Sequence, residues 1–172
     1  EMLVDATRRN CAVGAFNFAS LESGRAVIMA AERAHAPVIL QHAPPHEEFV
    51  PLDMAAPIML DLARRATVPV CVHLDHGGPE DLCYRALRMG MTSVMFDGSA
   101  LPYEENLAAT ARVGRAAHAL GATVEAELGS MPNNLKGDIG EYRPEDFYTK
   151  PEEAAEFVAR TGVDALAISF GT

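Results

Sequence analysis

The stretch PVCVHLDHGGPEDLCYRALRMG (69–90) decides the fold, because it holds one complete strand-and-helix unit. PVCVHL (69–74) is a short, β-branched apolar run, as expected of a strand buried on both faces. It ends in the polar HLDHG (73–77). PEDLCYRALRMG (79–90) then has helical spacing, opening on Pro79 and two acids that suit a helix N-terminus. The same unit recurs along the chain. CAVGAFNF (11–18), PVILQHA (37–43), TSVMF (92–96), TVEAEL (123–128) and DALAIS (164–169) read as strands. SLESGRAVIMAAERAH (20–35), MAAPIMLDLARRA (54–66), PYEENLAATARVGRAAHALG (102–121) and PEEAAEFVARTG (151–162) read as helices. Ser20 and Asp53 are the expected N-caps of the first two, and Pro57 is expected in a first turn that tolerates it. Gly121 and Gly162 are expected to close the last two. Residues 1–9 are expected to form a helix ahead of the sheet.

Six strands alternating with five helices imply a parallel sheet with right-handed crossovers. Two architectures compete, the doubly wound sheet and the eight-stranded barrel. No G-x-G-x-x-G follows the first strand, which weakens the dinucleotide-binding reading. Asn17, Gln41, Asp75, Asp97 and Glu127 all fall at the C-terminal ends of consecutive strands. In a barrel these five would converge on one mouth, where such folds build their sites. The expectation is therefore a (β/α)8 TIM barrel with about six of its eight strands present. Eight strands at this spacing need about 250 residues. The chain starts without Met and stops at AISFGT, and it reads as part of a longer protein whose isolated piece would fold poorly. Residues 1–172 read as a single, incomplete barrel domain.

Composition narrows the function. The chain has 172 residues, is 49% hydrophobic and 22% charged, and carries a formal net charge of −10. Lys occurs only at 136 and 150, and the arginines are scattered, so a nucleic-acid backbone is an unsuitable partner. No apolar run approaches the roughly 20 residues of a membrane span, and the N-terminus lacks a secretory pattern. Three cysteines in apolar segments suit a reducing, cytoplasmic location.

The residues themselves leave the chemistry of HLDHG open. His76 is a candidate metal ligand and Asp75 a candidate general acid or base, but one imidazole is not a metal site. The rival reading is the polar end of a buried strand. Asp97 and Glu127 either bond loop amides or supply carboxylates to a cation. Glu125 shares the parity of Glu127 and would need a partner, expected to be an Arg on another strand or helix. His42 and His46 lie on the same rim as Asp75. His35 and His118 fall near helix C-termini and read as dipole partners or surface residues. The one long irregular segment, 129–150, follows Glu127 and reads as a mobile active-site loop with Gly129, Gly137 and Gly140 as hinges, or else as a floppy insertion.

Taken together, AVGAFN (12–17), VPVCVHLDHG (68–77), SVMFDGS (93–99), EENLAAT (104–110), VEAELG (124–129) and YTKPEEAAEFVARTGVDALAISFGT (148–172) resemble the class II, metal-dependent ketose-bisphosphate aldolases. These include the fructose- and tagatose-bisphosphate enzymes. The resemblance implies an eight-stranded barrel, a homo-dimer or homo-tetramer when full length, and reversible aldol cleavage of a ketose phosphate to dihydroxyacetone phosphate and an aldehyde. It implies Zn2+ as one catalytic divalent ion, polarising the ketose carbonyl, with a possible second cation. Asp75 matches the catalytic acid/base, His76 a zinc ligand, Asp97 and Glu127 a secondary metal position, and Asn17 a substrate-binding residue. It places the two further zinc histidines past residue 172, along with the phosphate-binding loops.

Two segments depart from the family pattern. HAPPHEEF (42–49) replaces a Ser- and Gly-containing loop, so substrate contacts there are expected to differ. SMPNNLKGD (130–138) replaces a Gly-Gly-acid cluster, leaving Asp138 and Glu141 as candidates for the acid that moves the carbon-bound proton. The rival functions are a metal-dependent barrel lyase on another substrate and a non-catalytic sugar-phosphate-binding or accessory barrel subunit.

Overall fold

The computed structural model describes residues 1–129 and 148–170. Its elements run α1 (Met2–Arg8), β1 (Gly14–Asn17), α2 (Leu21–Ala34), β2 (Val38–His42), a 3-10 turn (Pro44–His46), α3 (Leu52–Arg65), β3 (Val70–Gly77), α4 (Glu80–Met89), β4 (Ser93–Phe96), α5 (Tyr103–Ala119), β5 (Thr123–Leu128), α6 (Pro151–Thr161) and β6 (Ala165–Ile168). All neighbouring strands are parallel and stand in the order β1-β2-β3-β4-β5-β6.

That order decides between the two architectures. A doubly wound sheet reverses its direction of growth at a switch point. Here each strand lies beside its predecessor, so every right-handed crossover puts its helix on the same face. The helices accordingly touch in sequence order, α2 with α3, α3 with α4, α4 with α5 and α5 with α6. One covered face and consistent twist make the six strands an arc of a (β/α)8 barrel.

Strand alternation sorts the side chains. Leu40, Val72, Leu74, Val94, Phe96 and Val124 face the helices and are at most 2% exposed, as are Phe18, Leu52, Met59, Val113 and Phe157. Together they form one continuous core. Burying each of these side chains stabilises the fold by about 1.5–3 kcal/mol. The other parity carries Asn17, Gln41, His73, Asp75, Glu125 and Glu127 toward the barrel interior.

The helix starts follow the expected chemistry in part. Ser20 caps α2, in a box closed by Ser23. Asp53 does not cap α3. Pro51 holds the N-cap position, Asp53 sits in the first turn, and its carboxylate accepts a hydrogen bond from Arg85 of α4 at 2.8 Å. Pro57 lies inside the helix rather than in its first turn. It therefore removes one internal hydrogen bond, which α3 tolerates because Ala55, Ala56 and Met59 are fully buried against the core. Gly162 closes α6 at φ +71°, and Gly121, just past the cap Leu120, closes α5 at φ +74°, with its amide and that of Ala122 bonded back to the His118 and Ala117 carbonyls. Among the described residues, no helix is long and apolar enough to cross a membrane.

Candidate active site at the strand ends

The site is built on an irregularity in β3. His73 pairs with Ser93 and Leu74 with Val94, but the next pair is Gly77 with Phe96. Three steps on β3 match two on β4, so β3 carries one extra residue, a β-bulge. His76 sits in that bulge at φ +49°, a left-handed conformation that costs a non-glycine residue about 1–2 kcal/mol. In a regular strand Asp75 and His76 would face opposite sides of the sheet. The bulge turns both to the rim.

Asp75 looks toward β2. Gln41 Nε2 donates to its Oδ2 at 2.8 Å and to Asn17 Oδ1 at 3.1 Å. Three strand-end residues from β1, β2 and β3 are thus linked by one amide. His76 looks the other way. Its Nδ1 donates to Asp97 Oδ2 at 2.9 Å and stands 3.6 Å from Glu127 Oε2. One ligand atom from each of His76, Asp97 and Glu127 can be chosen so that all lie within 4.8 Å of one another. Donors at about 2.1 Å from one ion stand roughly 3–4 Å apart, so an ion fits here after small side-chain movements. One imidazole with two carboxylates is a donor set for a divalent transition ion.

The Asp97 carboxylate and the Glu127 backbone are themselves held. Asp97 Oδ1 accepts from the amide of Ser99 at 3.1 Å and from its hydroxyl at 2.6 Å. Asn106 on α5 donates to the Glu127 carbonyl at 3.0 Å and accepts from Thr110 at 3.0 Å. The positions of Ser99, directly after Asp97-Gly98, and of Asn106, a buried amide in an Ala-rich helix, are the signals by which sequence reading would have found these supports.

Four acids, Asp75, Asp97, Glu125 and Glu127, converge on this mouth, and among the described residues no Lys or Arg pairs with them. Burial raises the pKa of Asp75, and the Asp97 charge adds to this against His76 and His46. Burial and then Asp97 likewise raise Glu127. Asp97 moves the other way. Burial pushes it up, but the Ser99 and His76 hydrogen bonds hold it below the usual carboxylate range. Burial pulls His76 down, and the Asp97 hydrogen bond with the surrounding acids outweighs it and raises the imidazole. A single negative well shared by four acids is where a cation is most favourable.

His73 lies on the barrel interior beneath this rim. It is buried, hydrogen-bonded through Nδ1 to Ser93 Oγ at 2.8 Å, and 3.6 Å from Glu125 Oε2. The partner of Glu125 is thus His73 and not an arginine. Desolvation lowers His73 to about 4, so at neutral pH it is uncharged and the contact is not a full ion pair. Burial, with Asp75, raises Glu125 to match. Because the folded-state pKa of His73 is depressed, the unfolded chain takes up a proton first as pH falls below about 6.5. Stability from this group is then lost between about pH 6.5 and pH 4, by about 2 kcal/mol at pH 5. The raised Glu125 opposes part of that loss. Thermal midpoints at pH 7 and pH 5 should differ more for the wild type than for His73→Asn; an equal difference would refute this assignment.

Gly77 closes the bulge against β4. A Cβ there would stand 2.7 Å from the Met95 carbonyl oxygen and 2.7 Å from Cys83 Sγ. Backbone cannot yield cheaply at that distance, so Gly77→Ala should cost about 1–3 kcal/mol. The thermal midpoint should fall accordingly, and a midpoint equal to wild type would show that the bulge tolerates a methyl group.

Of the remaining histidines, His35 ends α2 in a left-handed conformation and His118 bonds Asp164 at 2.9 Å, both away from the rim. His42 is fully buried and donates through Nε2 to the Val50 carbonyl at 2.7 Å. Gly137, Asp138, Gly140 and Glu141 lie outside the described residues.

A family model described as class-II fructose-bisphosphate aldolase matches residues 1–172. The chain is 40% identical over 174 residues to the D-tagatose-1,6-bisphosphate aldolase subunit GatY of Klebsiella oxytoca, covering all of this chain and 60% of that protein. It is 41% identical over 172 residues to a fructose-bisphosphate aldolase of Thermus caldophilus, covering all of this chain and 56% of that protein. Among solved structures, the YdjI aldolase of Escherichia coli K12 superposes with a TM-score of 0.86 at 37% identity, over 98% of this chain and 60% of that one. A putative fructose-1,6-biphosphate aldolase from Coccidioides immitis gives 0.81 at 30% identity, over 99% and 59%. The chain spans about 60% of the length of the curated relatives it matches.

Proposed function

The chain belongs to the class-II fructose-bisphosphate aldolase family, and on that premise we propose that the protein performs reversible, divalent-metal-dependent aldol cleavage of a ketose phosphate, yielding dihydroxyacetone phosphate and an aldehyde. The observation that carries this reading is the pairing of two groups on one bulge. Asp75 is held by Gln41, and the next residue, His76, meets Asp97 and Glu127.

His76, Asp97 and Glu127 would hold the ion, zinc by family resemblance, with any further ligands supplied from elsewhere in the protein. Such an ion supplies Lewis-acid polarisation of the substrate carbonyl. Asp75 takes the proton from the hydroxyl beside the breaking carbon–carbon bond, and the electron pair of that bond passes into the ketone fragment. The raised pKa of Asp75 makes it a stronger base than an exposed carboxylate. Gln41 fixes which Asp75 oxygen faces the substrate by occupying the other, and the same amide orients Asn17 as a substrate contact. In the condensation direction Asp75 returns its proton. Asp138 and Glu141 are the candidates for protonating the carbon of the ketone fragment. Among the described residues a Schiff-base lysine has no support, since Lys150 is largely exposed and bound to Glu153 at 2.9 Å.

A second reading, a sugar-phosphate-binding subunit without its own turnover, draws on the description of the Klebsiella oxytoca relative as a subunit. The full-length protein is expected to act in the cytoplasm as a homo-dimer or homo-tetramer. Its three thiols are free, which suits that compartment. A coupled assay for dihydroxyacetone phosphate, run on fructose and tagatose 1,6-bisphosphates, tests the proposal. Release from either supports aldol cleavage. Tight binding of both without release would favour the subunit reading.

A further inference from the structure

The turn after β2 is rigid and poor in donors. Pro44 and Pro45 have no N–H to offer a ligand. The amides of His46, Glu47, Phe49 and Val50 are all committed within the turn, to Ala43, Pro44 and twice to the His46 carbonyl. Glu47 reaches on to α3, where its Oε1 accepts from the Leu52 amide at 3.2 Å. Among the side chains of this turn, the imidazole of His46 is the one that can donate a hydrogen bond.

Its ring is fixed on one side. His46 packs edge-to-face on His42, centroids 5.9 Å apart, and His42 is anchored by Val50. His46 Nδ1 is sealed in this contact with no hydrogen-bond partner among the described residues. A buried bare lone pair is tolerated better than a buried orphan N–H, so the proton belongs on Nε2, the nitrogen left open. The turn follows β2 at the end where Gln41 holds Asp75, and the Pro44–His46 turn lies against β3, the strand that carries Asp75.

We infer that His46 is a further catalytic residue of this site, whose Nε2–H donates to the same substrate hydroxyl oxygen from which Asp75 takes the proton, and so helps to set which C4 epimer of a ketose bisphosphate is accepted. The inference rests on the aldol-cleavage reading. A hydroxyl has one proton to give and two lone pairs to fill, so Asp75 and His46 satisfy the same group from two sides. The donor also stabilises the negative charge that grows on this oxygen as the proton leaves. Fructose and tagatose 1,6-bisphosphates differ only in the configuration of this carbon. A donor fixed by two prolines and a buried ring would favour one of them, because the mismatched epimer leaves the donor unpaired.

The test is steady-state cleavage of both epimers by full-length wild type, His46→Phe and His46→Gln. Phe keeps the ring packed on His42 and removes the donor, whereas Gln restores an N–H. His46→Phe should lose between about tenfold and a hundredfold in kcat/KM on the preferred epimer, with a smaller loss on the other and partial recovery in His46→Gln. Wild-type kcat/KM and an unchanged epimer ratio in His46→Phe would overturn the inference while leaving aldol cleavage standing. Equal losses on both epimers without recovery in Gln would also overturn it, pointing to packing alone. A wild type that cleaves neither epimer would bring down both readings. If His46→Phe does not fold, the imidazole 15N spectrum of Asp75→Asn decides: fructose or tagatose 1,6-bisphosphate must shift the His46 Nε2 resonance, and no shift with either overturns the inference.

Discussion

Asparagine in place of Asp75 is expected to reduce kcat by about 10²–10⁴-fold while leaving substrate affinity within a few-fold of wild type. The substitution is nearly isosteric and removes one thing, the ability to take a proton. Gln41 donates to Asp75 Oδ2, and an asparagine can keep that hydrogen bond through its own carbonyl oxygen, so the Asn17–Gln41 arrangement survives. The other acids do not replace Asp75. Asp97 is engaged by Ser99 and His76, and Glu125 lies beside His73 on the interior side. A loss confined to KM would mean that Asp75 binds substrate without moving its proton.

Alanine at His76 is expected to weaken divalent-metal affinity by more than about 100-fold and to abolish cleavage at ordinary metal concentrations. Only His76 among the three grouped donors brings a nitrogen, and only it is placed by a strained backbone. The same residue gives the site a direction of pH dependence. Without an ion, Nδ1 donates to Asp97, and that bond together with nearby acids raises the His76 pKa despite burial. An ion must displace this proton, so binding releases it. Metal affinity should therefore fall as pH drops through the raised His76 pKa, and be regained above it. In His76→Ala that part of the dependence should vanish, which metal titrations at several pH values would show.

The fold was legible because its signals are local and repeated. Six apolar runs with polar C-terminal ends could be counted, and Asn17, Gln41, Asp75, Asp97 and Glu127 do gather at one rim. What alternation could not supply was the bulge. Period-2 reasoning puts Asp75 and His76 on opposite faces, and only the pairing of Gly77 with Phe96 shows that β3 holds an extra residue. The partner of Glu125 escapes sequence reading for a related reason. An arginine is the usual companion of a buried acid, but a neutral imidazole from β3 fills that place, set by how strands stagger in the curved sheet. Asp53 illustrates a third limit. Its type suits an N-cap, yet Pro51 starts the helix two residues earlier and leaves Asp53 free to bind Arg85. In the role inferred for His46, the two prolines of the departing loop serve as the mount for a donor.

In the proposed mechanism His76, Asp97 and Glu127 hold a divalent ion one residue away from the proton carrier. Calorimetric titration of zinc into metal-stripped full-length protein tests it most directly, comparing wild type with a variant carrying His76→Ala, Asp97→Asn and Glu127→Gln. A tight site is expected in the wild type, and the triple variant should lose it while keeping its fold. Equal zinc binding by both proteins would contradict the mechanism.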